Sequence, residues 1–207
     1  MTSSIIEEAA AGEAIIQPLT VDVYLQSIRN GSLPEDTRFE LLDGFIVRKN
    51  RAKAGEDLMT IGDRHRMAVT RLARLVHHFD PYGCFLQSQQ PITLPPHSEP
   101  EPDASIIRGV LEDYREDPPR GIDTLCVIEV ADASLSRDLG SKLRMYAQAG
   151  IPHYIVVDLV HNVVLLHTHP SNSAYPKPIS LLAGEILAIP TASPGQTVDI
   201  PTAMLLP

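Results

Sequence analysis

Residues 124–130, TLCVIEV, form a strand-sized apolar run that carries a single carboxylate, Glu129, between Ile128 and Val130. Side chains alternate between the two faces of a strand, and here both faces are apolar, so Glu129 has no polar side to turn to. A lone buried carboxylate costs several kcal/mol or is forced to protonate. The fold must therefore bring Glu129 a partner, either a structural arginine or a metal ion. A second carboxylate, Asp103 in EPDAS, stands at the edge of another strand-like stretch. Two such groups near each other make sense around a cation, and Mg²⁺ is the usual occupant of an all-oxygen site. With Lys142 on the following helix as a nearby positive charge, the pattern points to metal-dependent cleavage of a phosphodiester.

The 207 residues suffice for one well-cored domain. The longest apolar stretches, such as IVVDLV at 155–160, are strand-sized and carry charge, which argues against a membrane span. The first residues, MTSSIIEEAAAGEA, lack the basic and apolar regions of a signal peptide, so a cytoplasmic location is expected. Cys84 and Cys126 sit in apolar strand-like contexts and read as buried thiols rather than a disulfide or zinc site.

The net charge of −9 argues against a general nucleic-acid coat protein, but charge is unevenly spread. Residues 48–74 hold eight basic and three acidic side chains, a net +5, whereas 99–117 hold seven acidic and two basic, a net −5. A basic face beside an acidic, metal-attracting stretch is compatible with a nuclease; surface segregation of charge is the alternative.

Residues 1–17 read as a loosely docked tail and 18–207 as a single domain. Thr20 and Asp22, followed by Val23, Leu25 and Ile28, predict a short capped helix ending near Asn30-Gly31. FELLDGFIV predicts a hairpin about Asp43-Gly44. Residues 63–79 predict an amphipathic helix, with Ala68, Leu72, Leu75, Val76 and Phe79 on one face and Arg64, Arg71, Arg74 and His78 on the other. Strands are expected at 84–89, 104–109, 124–130 and in HYIVVDLV and NVVLLHT. A helix over about 136–149 has Ser136 as its N-cap and ends at Gly150 and Pro152. The fold class is mixed α/β, with one curved sheet flanked by helices.

Each candidate residue has a plain structural reading beside the chemical one. Asp103, after Pro102, is either a turn residue or a ligand. Lys142 lies four residues after Asp138, so it makes either a surface ion pair worth a few tenths of a kcal/mol or a charge aimed at the site. Glu40, between Phe39 and Leu41, faces either solvent or the metal. His65 and Arg66 either meet substrate phosphate at a helix start or form a solvated face. His167 and His169 share a strand face without an evident third ligand. No P-loop, GxSxG, CxxC or HExxH motif occurs.

Taken in order, FELLDG, DRH, EPDASII, CVIEVADAS and RDLGSKLRMYAQAGIPHYIVVD resemble the Uma-two-like restriction endonuclease family, a branch of the PD-(D/E)XK nuclease superfamily. The resemblance covers residues 18–207, including the closing PGQTVDIPTAMLLP. It implies a restriction-endonuclease-like core with Asp103 and Glu129 as metal ligands, and the Val130 carbonyl as a further donor. Glu40 matches the family's early acidic residue. The superfamily lysine two positions after the glutamate is here Ala131, so Lys142 takes its place from the next helix. Asp132-Ala133 stands where Ser-Pro is usual, and Ile155 where Trp is common.

The resemblance implies an Mg²⁺-dependent endonuclease, with Mn²⁺ as a substitute ion. Its catalytic residues are Glu40, Asp103, Glu129 and Lys142, and Arg64, His65 and Arg71 contact substrate. The partner is nucleic acid, DNA ahead of RNA, and a two-fold homodimer would suit cutting both strands. Two rival readings stand beside it. One is a catalytically inactive nuclease-fold module that binds nucleic acid or protein. The other is a structural oligomer in which Glu129 faces an arginine.

Overall fold

The computed structural model describes residues 5–33, 39–48 and 62–206. Lys49, Arg51, Lys53, Glu56 and Asp57 of the basic stretch lie outside the described residues. A first helix, α1 (Ile5–Ala10), precedes α2 (Val21–Arg29). Thr20 caps α2 by accepting a hydrogen bond from the Val23 amide at 3.4 Å. Val21 and Tyr24 are its buried residues, while Val23 and Ile28 are exposed.

Strands β1 (Phe39–Leu42) and β2 (Phe45–Arg48) form the predicted hairpin, with Leu42 paired to Phe45. Asp43 (φ 50°) and Gly44 (φ 83°) both occupy the left-handed region, the signature of a two-residue type I′ turn. The hairpin docks on the segment ahead of Asp103. Leu41 and Glu99 exchange backbone hydrogen bonds at 3.3 and 2.7 Å, and the Gly44 amide donates to the His97 carbonyl at 2.7 Å.

Helix α3 (Asp63–Ala73) is shorter than the predicted 63–79. Two 3₁₀ turns, Val76–His78 and Asp80–Tyr82, complete the segment and still bury Leu75 and Phe79 beside Ala68 and Leu72. Pro81 disfavours helical geometry at the residue before it, and Gly83 (φ 66°) ends the segment. The chain then builds β3 (Cys84–Ser88), β4 (Ala104–Arg108) and β5 (Thr124–Ala131).

A long helix follows, here α4, made of an α-turn (Leu135–Arg137), a π-helical turn (Asp138–Lys142) and a second α-helical part (Leu143–Gln148). Ser136, expected as its N-cap, lies inside the first turn. Ser134 precedes the helix, and its hydroxyl donates to the Asp138 carboxylate instead. Strands β6 (His153–Asp158), β7 (Val163–Thr168), β8 (Ile179–Leu181), β9 (Ile186–Pro190) and β10 (Thr197–Pro201) complete the chain.

The main sheet runs β3-β4-β5-β6-β7-β8, antiparallel except for the β5–β6 pair. Parallel neighbours need a crossover, and α4 supplies it. The alternation along β5 divides the interior. Cys126, Ile128 and Val130 join a core with Leu72 and Phe79 of the α3 segment and Leu187, Ile189 and Ile200 of the separate β9–β10 pair. Val127 and Ala131 join Tyr146, Tyr154 and Ile151 on the α4 side. Glu129 lies between Val127 and Ala131 in that alternation, so the sheet turns it towards α4. Both cysteines are free and buried, as expected. Among the described residues no helix is long and apolar enough to cross a membrane.

Candidate active site

On β4, Ala104 pairs with Ile128, and the same register continued by one residue sets Asp103 opposite Glu129. Asp103 Oδ2 accepts the Val130 amide at 2.9 Å. It also lies 3.3 Å from His65 Nε2, which reaches in from the first turn of α3. Asp103 thus carries some of the strand-edge role its Pro-Asp context suggested, while standing beside Glu129.

Lys142 approaches from α4. Its ammonium lies 2.7 Å from Glu129 Oε1 and 3.1 Å from Glu40 Oε1, and all three side chains are nearly inaccessible to solvent. Glu40 comes from the hairpin and also accepts the Glu101 amide at 2.8 Å on the same oxygen. The solvent-facing alternative for Glu40 is therefore excluded, since it is 1% exposed. The surface ion pair between Lys142 and Asp138 is excluded as well, because both are buried and Lys142 turns to the two glutamates. Glu129 meets a lysine and a tyrosine; among the described residues no arginine contacts it.

Two buried groups beside the site were not singled out from the sequence. Tyr146 donates its hydroxyl to Glu129 Oε1 at 2.9 Å. Asp138, 2% exposed, accepts from Ser134, and the Tyr154 hydroxyl donates to its main-chain carbonyl at 2.9 Å. Both lie four residues from Lys142, one before and one after. That spacing places side chains on one helix face; it made Asp138 a surface partner for Lys142 in the sequence, and it is the signal that could have found Tyr146.

The electrostatics follow from burial. Loss of solvent pushes the Glu129 carboxyl up to about 8, helped by the charges of Asp138, Asp103 and Glu40 and opposed by Lys142. Burial alone would lower Lys142, but Glu129, Glu40 and Asp138 outweigh it and hold the ammonium protonated. Burial also raises Asp138, against the pull of Lys142 and the Ser134 hydrogen bond. Glu40, Glu129 and Asp138 thus all act on the one Lys142 ammonium, and Asp103 is buried close by.

This donor set fits a hard divalent cation. The side-chain donors Glu40, Asp103, Glu129 and Asp138 are carboxylates, and the two hydrogen bonds that Glu129 accepts among the described residues fall on Oε1. Among the described residues no group of three or more His, Cys, Asp or Glu side chains is placed to hold a metal ion. Mg²⁺ needs none, because it keeps several waters and is held by one or two carboxylates plus substrate phosphate.

The remaining candidates are distributed around this centre. Arg64 donates to the Leu159 carbonyl at 2.8 Å and to Asn162, clasping the β6–β7 turn. Arg71 donates to the Met204 carbonyl at 3.2 Å, near the chain end. Arg66 pairs with Asp63 on the surface. Asp132 does not contact the carboxylate cluster by any hydrogen bond among the described residues; its Oδ2 stands 3.2 Å from where a Cβ on Gly62 would be, at the start of α3. His169 lies past the end of β7 with φ 52° and packs edge-on against His153, whereas His167 stacks on Tyr154. The two histidines therefore do not form a paired site.

A crystal structure of a putative nuclease belonging to DUF820 from Anabaena variabilis ATCC 29413 superposes with a TM-score of 0.65. The match covers 91% of this chain and 97% of that one at 14% identity, a likeness of fold. No curated protein matches the chain. The family model described as "Putative restriction endonuclease" (Uma2) matches residues 22–202, and the chain belongs to that family.

Proposed function

We propose that this protein is a metal-dependent endonuclease that hydrolyses phosphodiester bonds, in DNA ahead of RNA. The observation that carries the reading is the buried Glu40–Lys142–Glu129 cluster with Asp103 set opposite Glu129. Asp103 and Glu129 would hold Mg²⁺ or Mn²⁺, which when bound supplies charge neutralisation at the scissile phosphate and a more acidic water.

The chain's own residues do the rest. Lys142 is fixed by two carboxylates, and an ammonium has three donors. The third remains to orient water and to stabilise charge building on the phosphate oxygens. Glu40 aims Lys142 and, through the Glu101 amide, ties the hairpin to the strand edge that carries Asp103. His65, beside Asp103, together with Arg64 and Arg71, forms the substrate face of α3. A guanidinium has five donors, so both arginines keep donors beyond those given to carbonyls.

Cleavage of supercoiled plasmid, labelled single strands and RNA, with Mg²⁺ or Mn²⁺ and with EDTA, tests the proposal. Metal-dependent cleavage is expected from the wild type and none from Glu129→Gln or Lys142→Ala. Cleavage retained by Glu129→Gln would remove Glu129 from the mechanism. The neutralisation of Glu129 by Lys142 favours one second reading, a nuclease fold that binds without turnover. Calorimetric metal binding with no cleavage of any substrate would select it.

A further inference from the structure

We infer that Tyr146 is a positioning residue for Glu129: its hydroxyl and the Lys142 ammonium together fix Oε1, so that the carboxylate offers a cation its other oxygen. The inference rests on the metal-dependent reading above. Tyr146 lies one helical turn beyond Lys142 on α4, and its side chain is fully buried. The two donors reach the same oxygen of Glu129, at 2.9 and 2.7 Å. A carboxylate held through one oxygen by two donors from one helix has little freedom to rotate. Coordination through Oε1 would cost it those hydrogen bonds, whereas coordination through Oε2 preserves both. Partners of this kind orient a metal's ligands without touching the metal themselves.

The ring of Tyr146 is itself held. It packs against Tyr154 with centroids 4.9 Å apart and planes at 46°. The Tyr154 hydroxyl donates to the Asp138 carbonyl in the π-helical turn, so the aromatic pair links Glu129, α4 and β6. Lys142 can also reach Glu40, but among the described residues Tyr146 makes its one side-chain hydrogen bond to Glu129. Removing the hydroxyl while keeping the ring should therefore leave packing intact and loosen the carboxylate.

The test is Mn²⁺ binding by calorimetry on the full chain as wild type, Tyr146→Phe and Tyr175→Phe, with unfolding in EDTA as the measure of fold integrity. Tyr175 is the control, since its half-buried side chain donates a hydroxyl to the Ile151 carbonyl at 2.7 Å and, among the described residues, touches no carboxylate. Tyr146→Phe is expected to weaken Mn²⁺ binding about 10- to 100-fold, with Tyr175→Phe at the wild-type value. In a Glu129→Gln background Tyr146→Phe should add nothing, because the two act through one interaction. Equal Mn²⁺ affinity in wild type and Tyr146→Phe would overturn the inference while leaving the metal reading intact. The same loss in Tyr175→Phe would also overturn it, assigning the effect to packing. A wild type that binds no Mn²⁺ would overturn the metal reading and this inference with it.

Discussion

Lys142 and Glu129 are separated by 13 residues in the chain and by 2.7 Å in space, with the ammonium coming from the helix that follows the carboxylate's own strand. Replacing Lys142 by Met, of similar length, removes the ammonium that pairs with both Glu40 and Glu129 in the interior. Breaking a buried pair from one side costs about 3–5 kcal/mol. Burial holds the Glu129 carboxyl above the usual range and Lys142 opposes that rise, so without the ammonium it takes up a proton more readily and the loss should be smaller at pH 6 than at pH 9. Urea unfolding in EDTA at the two pH values checks this. A loss independent of pH would mean that Glu129 does not carry the uncompensated charge.

Asp103→Asn keeps an oxygen for the Val130 amide but removes the negative charge beside Glu129. Stability should change by less than about 1 kcal/mol, whereas cleavage should fall about 10³-fold, the equivalent of several kcal/mol of charge stabilisation. Plasmid nicking rates and thermal unfolding, measured on one preparation, separate the two effects.

His167 gives the fold an acid-sensitive point away from the site. It is 4% exposed, stacks on Tyr154 and meets Tyr175 at a tilt, and neither ring nitrogen has a hydrogen-bond partner among the described residues. Burial lowers its pKa. The unfolded chain protonates this side chain below about 6.5 while the folded chain resists, so the unfolded state binds more protons and stability falls as pH drops through that value. His167→Phe should be about 1 kcal/mol more stable, with an advantage that widens from pH 7 to pH 5. An advantage constant over that range would show that His167 does not titrate on unfolding.

Gly44 is constrained by a neighbour as well as by its φ of 83°. A Cβ there would lie 2.3 Å from Pro18 Cβ and 2.8 Å from Pro18 Cα. Gly44→Ala should cost more than about 2 kcal/mol from overpacking and left-handed backbone strain together. Because the hairpin carries Glu40, cleavage should fall even where the variant is folded. Activity equal to wild type in a destabilised variant would show that hairpin placement does not govern the site.

Much of this fold was legible from local chemistry. Asp43-Gly44 between apolar runs specified the hairpin, and the unbroken apolar character of 124–130 marked a strand buried on both faces. Glu129 could be recognised as needing a partner because its neighbours left it no polar side. What was not legible depended on tertiary choice. Val21 and Tyr24, rather than Val23 and Ile28, face the hairpin, and periodicity over nine residues does not decide between such faces. Asp138 followed by Lys142 looked like an ordinary surface pair, since sequence spacing does not reveal that the whole face is covered. The π-helical turn left no recognisable signal; Ser134 donates to the Asp138 carboxylate there, and Tyr154, distant in sequence, donates to its carbonyl.

That turn also sets a clock for the helix. A π-helical turn inserts, in effect, one residue into an α-helical frame, and one residue of an α-helix is about 100° of rotation. The residues before Asp138 and those after Lys142 thus keep two different phases on one axis. Gly140, at the middle of the turn, has open space around its missing Cβ, so no packing pins the inserted residue itself. Deleting it would leave composition and helical content almost unchanged, yet would swing Ser134 and Lys142 about a quarter-turn out of step with each other.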